Sequence, residues 1–186
     1  MATNLAALPN NLPVPIDDGA CQHLLGWHLP NLALTATNQQ LINPSAFKNW
    51  LVIYCYPMTG QPNVALPDGW DEIPGARGCT PQSCGFRDNF EKLAELNIQV
   101  FGLSTQSTEY QQEAVSRLHL PYPLLSDENL MFTRSLALPT FRVANMELNK
   151  RVTLITYNGV IQHYFYPVFP PDKNVDDVID WLTLHV

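Results

Sequence analysis

Trp50-Leu-Val-Ile-Tyr-Cys-Tyr56 is a continuous apolar run rich in aromatic and β-branched residues, and Pro57 ends it. Such a run is typical of a β-strand that is buried on both faces, in the middle of a sheet. A second run, Ile98-Gln-Val-Phe-Gly-Leu-Ser104, follows a stretch from Pro81 to Leu96 in which apolar residues recur at helical spacing. The order predicts a strand, a crossover helix and a parallel strand.

Further along the chain, two more helices are predicted, with Pro121 and Pro123 separating them. One covers Thr108–Leu118 and is capped by Ser107 or Thr108, since a hydroxyl at that place accepts a hydrogen bond from a free backbone N–H. The other covers Asp127–Leu136. Neither stretch carries an obvious chemical motif, so both helices are expected to belong to the scaffold.

The C-terminal part of the chain predicts a hairpin and a last helix. Asn158-Gly159 stands between the apolar stretches Arg151–Tyr157 and Val160–Tyr166, and this dipeptide is a strong signal for a tight turn between antiparallel strands. Asn174 is expected to cap the terminal helix. This order of elements indicates an α/β protein, a thioredoxin-like three-layer sandwich whose mixed central sheet has helices on both faces.

The chain of 186 residues is long enough for one ordinary domain with its own core. Residues 1–30 are rich in Pro and Asn and are predicted to form an extended N-terminal arm that wraps the domain. Residues 31–186 are predicted to form that single domain. The stretch from Met58 to Gly78 is too long and too rich in Gly and Pro for an ordinary connection, and long loops at such places are usually functional.

The charge of the chain limits its partners. With ten Lys and Arg against 17 Asp and Glu, the formal net charge is −7, which removes the attraction that nonspecific nucleic-acid binding requires. We therefore expect neither a nucleic-acid partner nor a membrane partner. The absence of a signal-peptide pattern and of a long apolar segment predicts a cytoplasmic protein. The sequence leaves open whether the protein is a monomer or a homodimer.

Four cysteines without a secretion signal indicate reactive thiols or metal ligands more than a disulfide framework. Cys79 lies where a glycine-rich loop meets the predicted helix, so its sulfur faces free backbone N–H groups at the positive end of that helix. This position favours the thiolate, the form that attacks an O–O bond. The cations available to support the thiolate are Arg77, Arg87 and Arg151.

Cys84 follows Cys79 by five positions. In an unbroken helix this spacing gives about 7.5 Å of rise and about 140° of rotation, which is beyond ordinary disulfide reach. A Cys79–Cys84 disulfide would therefore require the first turns to unwind, so that the reduced and oxidised proteins would differ in shape. The alternative is that Cys84 is a packed core residue.

The other two cysteines give weaker signals. Cys55 is inside the first apolar run, where a cysteine usually serves as a packed apolar residue. Cys21 precedes His23 by two positions in the arm, which leaves a metal or redox role open. The Cys79-x4-Cys84 spacing is not that of a zinc site and no second pair follows, so we expect neither a metal nor another cofactor.

Gly78-Cys-Thr-Pro-Gln-Ser-Cys-Gly-Phe-Arg-Asp88 resembles the active-site helix of the peroxiredoxins, and within them the bacterioferritin-comigratory or Q-type group. Both cysteines and the following Arg-Asp coincide with the pattern of that group. Further likenesses are Phe101-Gly-Leu-Ser-Thr105, Leu124-Leu-Ser-Asp127 and Lys150-Arg-Val-Thr-Leu-Ile155. The resemblance runs from about Trp50 to the end of the chain.

The resemblance implies a thiol-dependent peroxidase that reduces hydrogen peroxide and alkyl hydroperoxides. Cys79 would be oxidised to a sulfenic acid, Cys84 would condense with it as the resolving cysteine, and thioredoxin or a similar dithiol reductant would restore both thiols. Arg151 matches the arginine that the family places beside the nucleophile, where a guanidinium donates to the peroxide oxygens.

The chain departs from the family pattern just before the nucleophile. A Pro and a Thr normally stand seven and three positions ahead of it, whereas this chain has Glu72 and Ala76 there. Either Thr59 or Thr80 supplies the missing hydroxyl, or the insertion that follows Met58 reshapes the pocket and lowers peroxidase efficiency.

Three further alternatives remain. Trp70, in the insertion, either lines an apolar entrance for alkyl hydroperoxides or anchors the loop on the core. A thiol-disulfide oxidoreductase has the same architecture, and Leu138-Pro-Thr-Phe141 is superficially similar to its characteristic proline loop, but that class requires a Cys-x-x-Cys motif, which this sequence lacks. A redox-sensing or noncatalytic protein of the same fold is the remaining competitor.

Overall fold

The computed structural model describes residue 5 and residues 7–186. Its strands are β1 Leu34–Ala36, β2 Leu41–Ile42, β3 Trp50–Cys55, β4 Gln99–Ser104, β5 Leu124–Ser126, β6 Thr140–Val143, β7 Met146–Asn149, β8 Val152–Tyr157 and β9 Val160–Phe165. Seven of these strands form one sheet in the order β2-β1-β5-β4-β3-β8-β9, while β6 and β7 pair as a separate hairpin.

The helices are α1 Cys79–Asp88, α2 Phe90–Glu95, α3 Thr108–Leu118, α4 Met131–Ser135 and α5 Asn174–His185. Ser107 accepts a hydrogen bond from the backbone N–H of Tyr110, so it is the cap of α3. Both the bounds and the capping residue of α3 agree with the sequence prediction. Among the helices in the described part of the chain, none is long and apolar enough to cross a membrane.

Strand β3 lies in the centre of the sheet, parallel to β4 and antiparallel to β8. Its side chains alternate between two apolar clusters: Leu51 and Ile53 pack on one face of the sheet, and Val52 and Tyr54 on the other. Residues of α1, α2 and α5 complete the second cluster, while α4 and part of the N-terminal segment complete the first. The predicted three-layer α/β sandwich is therefore confirmed.

The predicted hairpin is also confirmed. Strands β8 and β9 are antiparallel and are joined by Asn158 and Gly159, whose φ angles are 51° and 73°. Positive φ at both central positions is the geometry that Asn-Gly favours in a two-residue hairpin.

Two helix predictions need correction. The stretch from Pro81 to Leu96 forms two helices instead of one, because Asn89 leaves the helical conformation and its side chain donates to the carbonyl of Gly85 at 3.0 Å. The stretch Asp127–Leu136 is helical only over α4. Asp127 lies before that helix. Its carboxylate accepts hydrogen bonds from the backbone N–H groups of Phe132 and Thr133 in the first turn of α4.

The predicted role of Asn174 is wrong. Asn174 is the first helical residue of α5, and its side chain does not cap the helix. Its oxygen accepts instead from Gln82 Nε2 at 2.9 Å and from Thr153 Oγ1 at 2.7 Å. Because the side-chain oxygen of Asn174 bonds to α1 and to β8, it does not accept from a backbone N–H group of α5.

Residues 7–33 contain turns and no helix or strand apart from a single bridge between His28 and Val160. Three of their side chains, Cys21, Leu24 and Leu29, are buried in the cluster on the α4 side of the sheet. Residues 1–4 and 6 of the predicted arm lie outside the described residues. The division at residue 30 stays a prediction.

Candidate active site

Cys79 is the first residue of α1, and its side chain is buried, with 3% of its surface exposed. The preceding residue, Gly78, has a φ of 105°, which L side chains rarely adopt. A Cβ at Gly78 would also collide with Pro171 and come within 2.9 Å of Leu8 Cδ2. The turn that presents the sulfur at the helix start therefore needs glycine for two independent reasons.

We expect Gly78→Ala to lower the free energy of unfolding by about 2–3 kcal/mol, since it combines backbone strain with a steric clash. Gly26→Ala is the matched control, because Gly26 has a φ of 79° and no other group within 4 Å of the Cβ position. In the control only backbone strain is introduced, so its free energy of unfolding is expected to fall by about 1 kcal/mol. Chemical denaturation measures both; equal losses would contradict the steric argument.

Arg151 precedes β8 and is also buried, with 3% of its surface exposed. Its Nη2 lies 3.3 Å from Cys79 Sγ and 3.2, 3.3 and 3.2 Å from the carbonyl oxygens of residues 75, 76 and 77 in turn. One nitrogen with two hydrogens cannot serve four acceptors fully. A thiolate, being charged, would attract these hydrogens more strongly than the neutral carbonyls do.

The other two candidate cations do not occupy this position. Arg77 forms an ion pair with Asp71 at 3.2 Å. Arg87 is paired with Asp88 at 2.8 Å and donates to the carbonyl of Leu118. Of the three arginines singled out in the sequence, Arg151 is the one that donates to the sulfur.

A buried polar network holds the guanidinium of Arg151 in place. Its Nη1 donates to Gln82 Oε1, the Gln82 amide nitrogen donates to Asn174, and Thr153 also donates to Asn174. Gln82 stands three positions after Cys79 on α1, which places both side chains on one face of the helix. That spacing is the signal that could have identified Gln82 from the sequence.

Both threonines considered as replacements for the missing hydroxyl are buried. Thr80 lies in the first turn of α1. Thr59 offers its carbonyl to the Tyr110 hydroxyl at 2.7 Å, while its own Oγ1 has no hydrogen-bond partner among the described residues. At Ala76 itself, the backbone carbonyl lies 3.6 Å from Cys79 Sγ and accepts from the thiol.

The insertion ahead of the nucleophile is anchored by Trp70, which is buried in a cluster with Met58, Ala76 and Leu148. A short 3₁₀ helix, Trp70–Glu72, places Glu72 on the exposed side of this turn. The burial of Trp70 supports the alternative in which it fixes the loop on the core.

Cys84 lies within the unbroken α1 and is partly exposed, and all four cysteines of the chain are free thiols. Burial raises the pKa of the Cys84 thiol, so Cys84 is protonated at neutral pH in this conformation. The structure therefore corresponds to a reduced state in which both thiols lie on one continuous helix.

Aromatic contacts hold α1 against the sheet. The ring of Phe86 stacks on that of Tyr54 with centroids 4.6 Å apart and planes within 6°. The Tyr54 hydroxyl donates to Ser83 Oγ at 3.1 Å, and Tyr122 donates to the Ser83 carbonyl at 2.8 Å. Unwinding of α1 as far as Ser83 would break the two hydrogen bonds to that residue.

Cys55 and Cys21 pack in the apolar cluster on the opposite face of the sheet. Burial raises the pKa of the Cys21 thiol to about 12, and His23 is occupied by a hydrogen bond of 2.8 Å between Nε2 and the carbonyl of Leu136. Within the described ranges, no group of three or more metal-ligating side chains is present.

The comparisons with known proteins identify the family of this chain. The family model described as Redoxin matches residues 25–179. Peroxiredoxin Q, chloroplastic, of Sedum lineare is 29% identical over 154 residues, which are 82% of this chain and 74% of the relative. The protein of the same name from Gentiana triflora is 27% identical over 184 residues, covering 96% of this chain and 77% of the relative.

The chain spans 64% of the length of the rice (Oryza sativa subsp. japonica) peroxiredoxin Q, to which it is 28% identical over 155 residues. Among solved structures, the peroxidoxin BcpB of Mycobacterium tuberculosis superposes with a TM-score of 0.69 at 20% identity, covering 87% of this chain and 97% of that one. The Xylella fastidiosa PrxQ superposes with a TM-score of 0.70 at 18% identity, covering 87% and 96%. These likenesses show the thioredoxin-like fold. The chain belongs to the Redoxin family and, within it, to the peroxiredoxins of the Q group.

Proposed function

We propose that this protein is a thiol peroxidase in which Cys79 reduces hydroperoxides. The observation that carries the proposal is the contact of 3.3 Å between Arg151 Nη2 and Cys79 Sγ at the start of α1, where both groups are buried. A fixed cation beside a sulfur at the positive end of a helix stabilises the thiolate and places a donor where the peroxide oxygens arrive.

In the first step the Cys79 thiolate attacks one oxygen of the hydroperoxide. The S–O bond forms as the O–O bond breaks, and the leaving oxygen takes a proton to become an alcohol, or water when the substrate is hydrogen peroxide. The product on the protein is a sulfenic acid. Arg151 donates to the oxygens while negative charge moves from sulfur to the leaving group.

In the second step Cys84 attacks the sulfenic sulfur, which forms the disulfide and releases water. This step requires α1 to unwind, since the helix separates the two sulfurs. Unwinding also exposes the Cys84 thiol and so removes the burial that raises its pKa. Thioredoxin or a similar dithiol would then exchange with the disulfide and restore both thiols.

The direct test is intact-mass measurement and peptide mapping after one equivalent of hydrogen peroxide is added to the reduced protein. The expected result is the loss of two hydrogens, with Cys79 and Cys84 joined in one cross-linked fragment. An unchanged mass would contradict the proposal, and a cross-link that involves Cys21 or Cys55 would contradict the assignment of the resolving thiol.

Cys84→Ser is expected to retain the first step and lose the second. Without a resolving thiol the Cys79 sulfenic acid persists, so further peroxide should oxidise it to the sulfinic acid, which carries two more oxygens than the thiol. Mass spectrometry across a series of peroxide concentrations measures this. Cys21→Ala is the control and should form the Cys79–Cys84 disulfide as the unmodified protein does. Equal sulfinate in both variants would show that Cys84 does not resolve.

A redox sensor is the second candidate, and the residue at position 76 favours it. A carbonyl oxygen approaches the sulfur there, where the family pattern has a hydroxyl that donates to the peroxide. A sensor would form the Cys79–Cys84 disulfide but consume peroxide slowly under multiple turnover with a dithiol.

The cytoplasmic location stays a prediction, since the relatives compared above are described as chloroplastic.

A further inference from the structure

Arg151 lines a cavity of about 340 Å³ in addition to its contact with Cys79. The volume lies at the lower end of small-molecule sites, which are about 300–1,000 Å³. The lining is mostly apolar and includes Val14, Pro15, Ile16, Ile73, Phe141 and Val168. A ligand that fills this cavity would therefore contact Arg151, which itself contacts the sulfur of Cys79.

One wall of the cavity is formed by the segment of residues 14–18, of which Val14, Pro15, Ile16 and Asp18 line it. Pro15 lies against Gly75 of the loop that Arg151 holds, since a Cβ at Gly75 would come within 3.6 Å of Pro15 Cγ. Val14 and Ile16 also face the cavity, yet 63% and 85% of their surfaces are exposed. Two large apolar side chains at the edge of an apolar cavity gain buried surface when an apolar ligand binds.

A polar clasp fixes this wall. The Asp18 carboxylate accepts from Lys150 Nζ at 2.8 Å and from the Tyr166 hydroxyl at 2.8 Å. Lys150 is the chain neighbour of Arg151, so the clasp ties the wall to the residue that contacts the nucleophile. The same hydrogen bonds lower the pKa of Asp18 to about 2, and the clasp is therefore ionised throughout the neutral and mildly acidic range.

We propose that residues 14–18 are the specificity wall of a binding pocket that takes the organic part of a hydroperoxide with a compact, uncharged, apolar body. The inference rests on the proposed peroxidase function and names the segment that selects its substrate. Hydrogen peroxide has no apolar surface to bury and gains nothing from this wall. The Asp18–Lys150 ion pair already satisfies both of its charges, and Arg151 is needed for the peroxide oxygens, so the lining leaves no further charged group for the body of the substrate.

The test compares kcat/KM for cumene hydroperoxide with kcat/KM for hydrogen peroxide in Ile16→Asp and in a matched control, Leu25→Asp. Leu25 is a large apolar residue of the same segment, 62% exposed, that does not line the cavity. Ile16→Asp should lower the value for cumene hydroperoxide about tenfold relative to hydrogen peroxide, since it replaces an apolar contact by a charge. Leu25→Asp should leave the ratio unchanged.

An unchanged ratio in Ile16→Asp, or the same change in both variants, overturns the assignment of the wall. If the unmodified protein consumes neither hydroperoxide, the peroxidase function itself fails, and the two failures are thereby distinguished. A binding measurement does not depend on turnover: 2-phenylpropan-2-ol, the alcohol formed from cumene hydroperoxide, should shift the methyl NMR signals of Val14, Ile16 and Val168. Absence of these shifts at millimolar alcohol also overturns the assignment.

Discussion

Cys79→Ser is expected to lower peroxide consumption in the presence of a dithiol reductant by more than about 1,000-fold. A serine hydroxyl is not ionised near neutral pH, so the nucleophile is lost even though Arg151 and the start of α1 stay in place. Oxygen is smaller than sulfur, and the buried site accepts it without steric cost. The fold should therefore persist, and the effect should appear in turnover and not in the far-UV circular dichroism spectrum.

The loss should be specific to position 79. Cys84→Ser is expected to react once with peroxide at a normal rate and then to stall, whereas Cys79→Ser should not react at all. A Cys79→Ser variant that still consumed peroxide through a Cys84 thiol would contradict the assignment. Competition kinetics against a peroxide-reactive indicator separates the two variants in the first turnover.

Arg151→Met is expected to lower the rate constant for oxidation of Cys79 by about 10²–10³-fold, the usual cost of removing one donor that stabilises developing charge. The same substitution leaves the carbonyl oxygens of residues 75–77 without the guanidinium that they share. The free energy of unfolding should therefore fall by about 1–3 kcal/mol. Stopped-flow oxidation and urea denaturation measure the two effects separately.

Arg87→Met is the control for Arg151→Met, since Arg87 lies on α1, the helix that begins at Cys79, but pairs with Asp88 and the carbonyl of Leu118. In Arg87→Met, peroxide should oxidise Cys79 at close to the normal rate. Arg151→Lys keeps the charge without the forked guanidinium, so it should recover only part of the rate. Equal slowing in Arg87→Met and Arg151→Met would show that net charge near α1, and not the contact with Sγ, sets the rate.

The long, strongly patterned elements were predictable from the sequence because their side-chain environment is uniform. β3 and β4 are buried on both faces over several residues, and α3 has an apolar stripe with a hydroxyl cap. The turn at Asn158 and Gly159 follows from local backbone preference alone. None of these features depends on a distant contact.

The errors arose where a polar side chain could bond to more than one partner. Asn89 bonds to the carbonyl of Gly85 and Asp127 to two nearby backbone N–H groups, whereas Asn174 bonds to the distant Gln82. Asn and Asp side chains can end a helix, cap its start or bond elsewhere. The sequence does not show which of these roles Asn89, Asp127 and Asn174 take. The strands β1 and β2 have three and two residues, too few for a periodic pattern, and were not predicted.

The candidate site was predictable to a similar degree. The helix start at Cys79 follows from the glycine-rich loop and the apolar spacing that comes after it. The choice among three arginines does not follow from local spacing, since Arg151 reaches Cys79 across 72 positions of sequence. The resemblance to a family supplied that pairing, and the geometry is consistent with it. Gln82 was missed because a glutamine on a helix is usually a surface residue.

The attachment of both thiols to one helix has a consequence for the reductant. In the reduced protein Tyr54 and Tyr122 donate hydrogen bonds to Ser83 of α1, and the proposed unwinding of α1 in a disulfide form would break these bonds. A reductant that recognises the unwound segment would therefore lose its binding surface as soon as it completes its work, because rewinding of α1 withdraws that segment. Departure of the partner would thus be coupled to its own reaction, without a separate release signal.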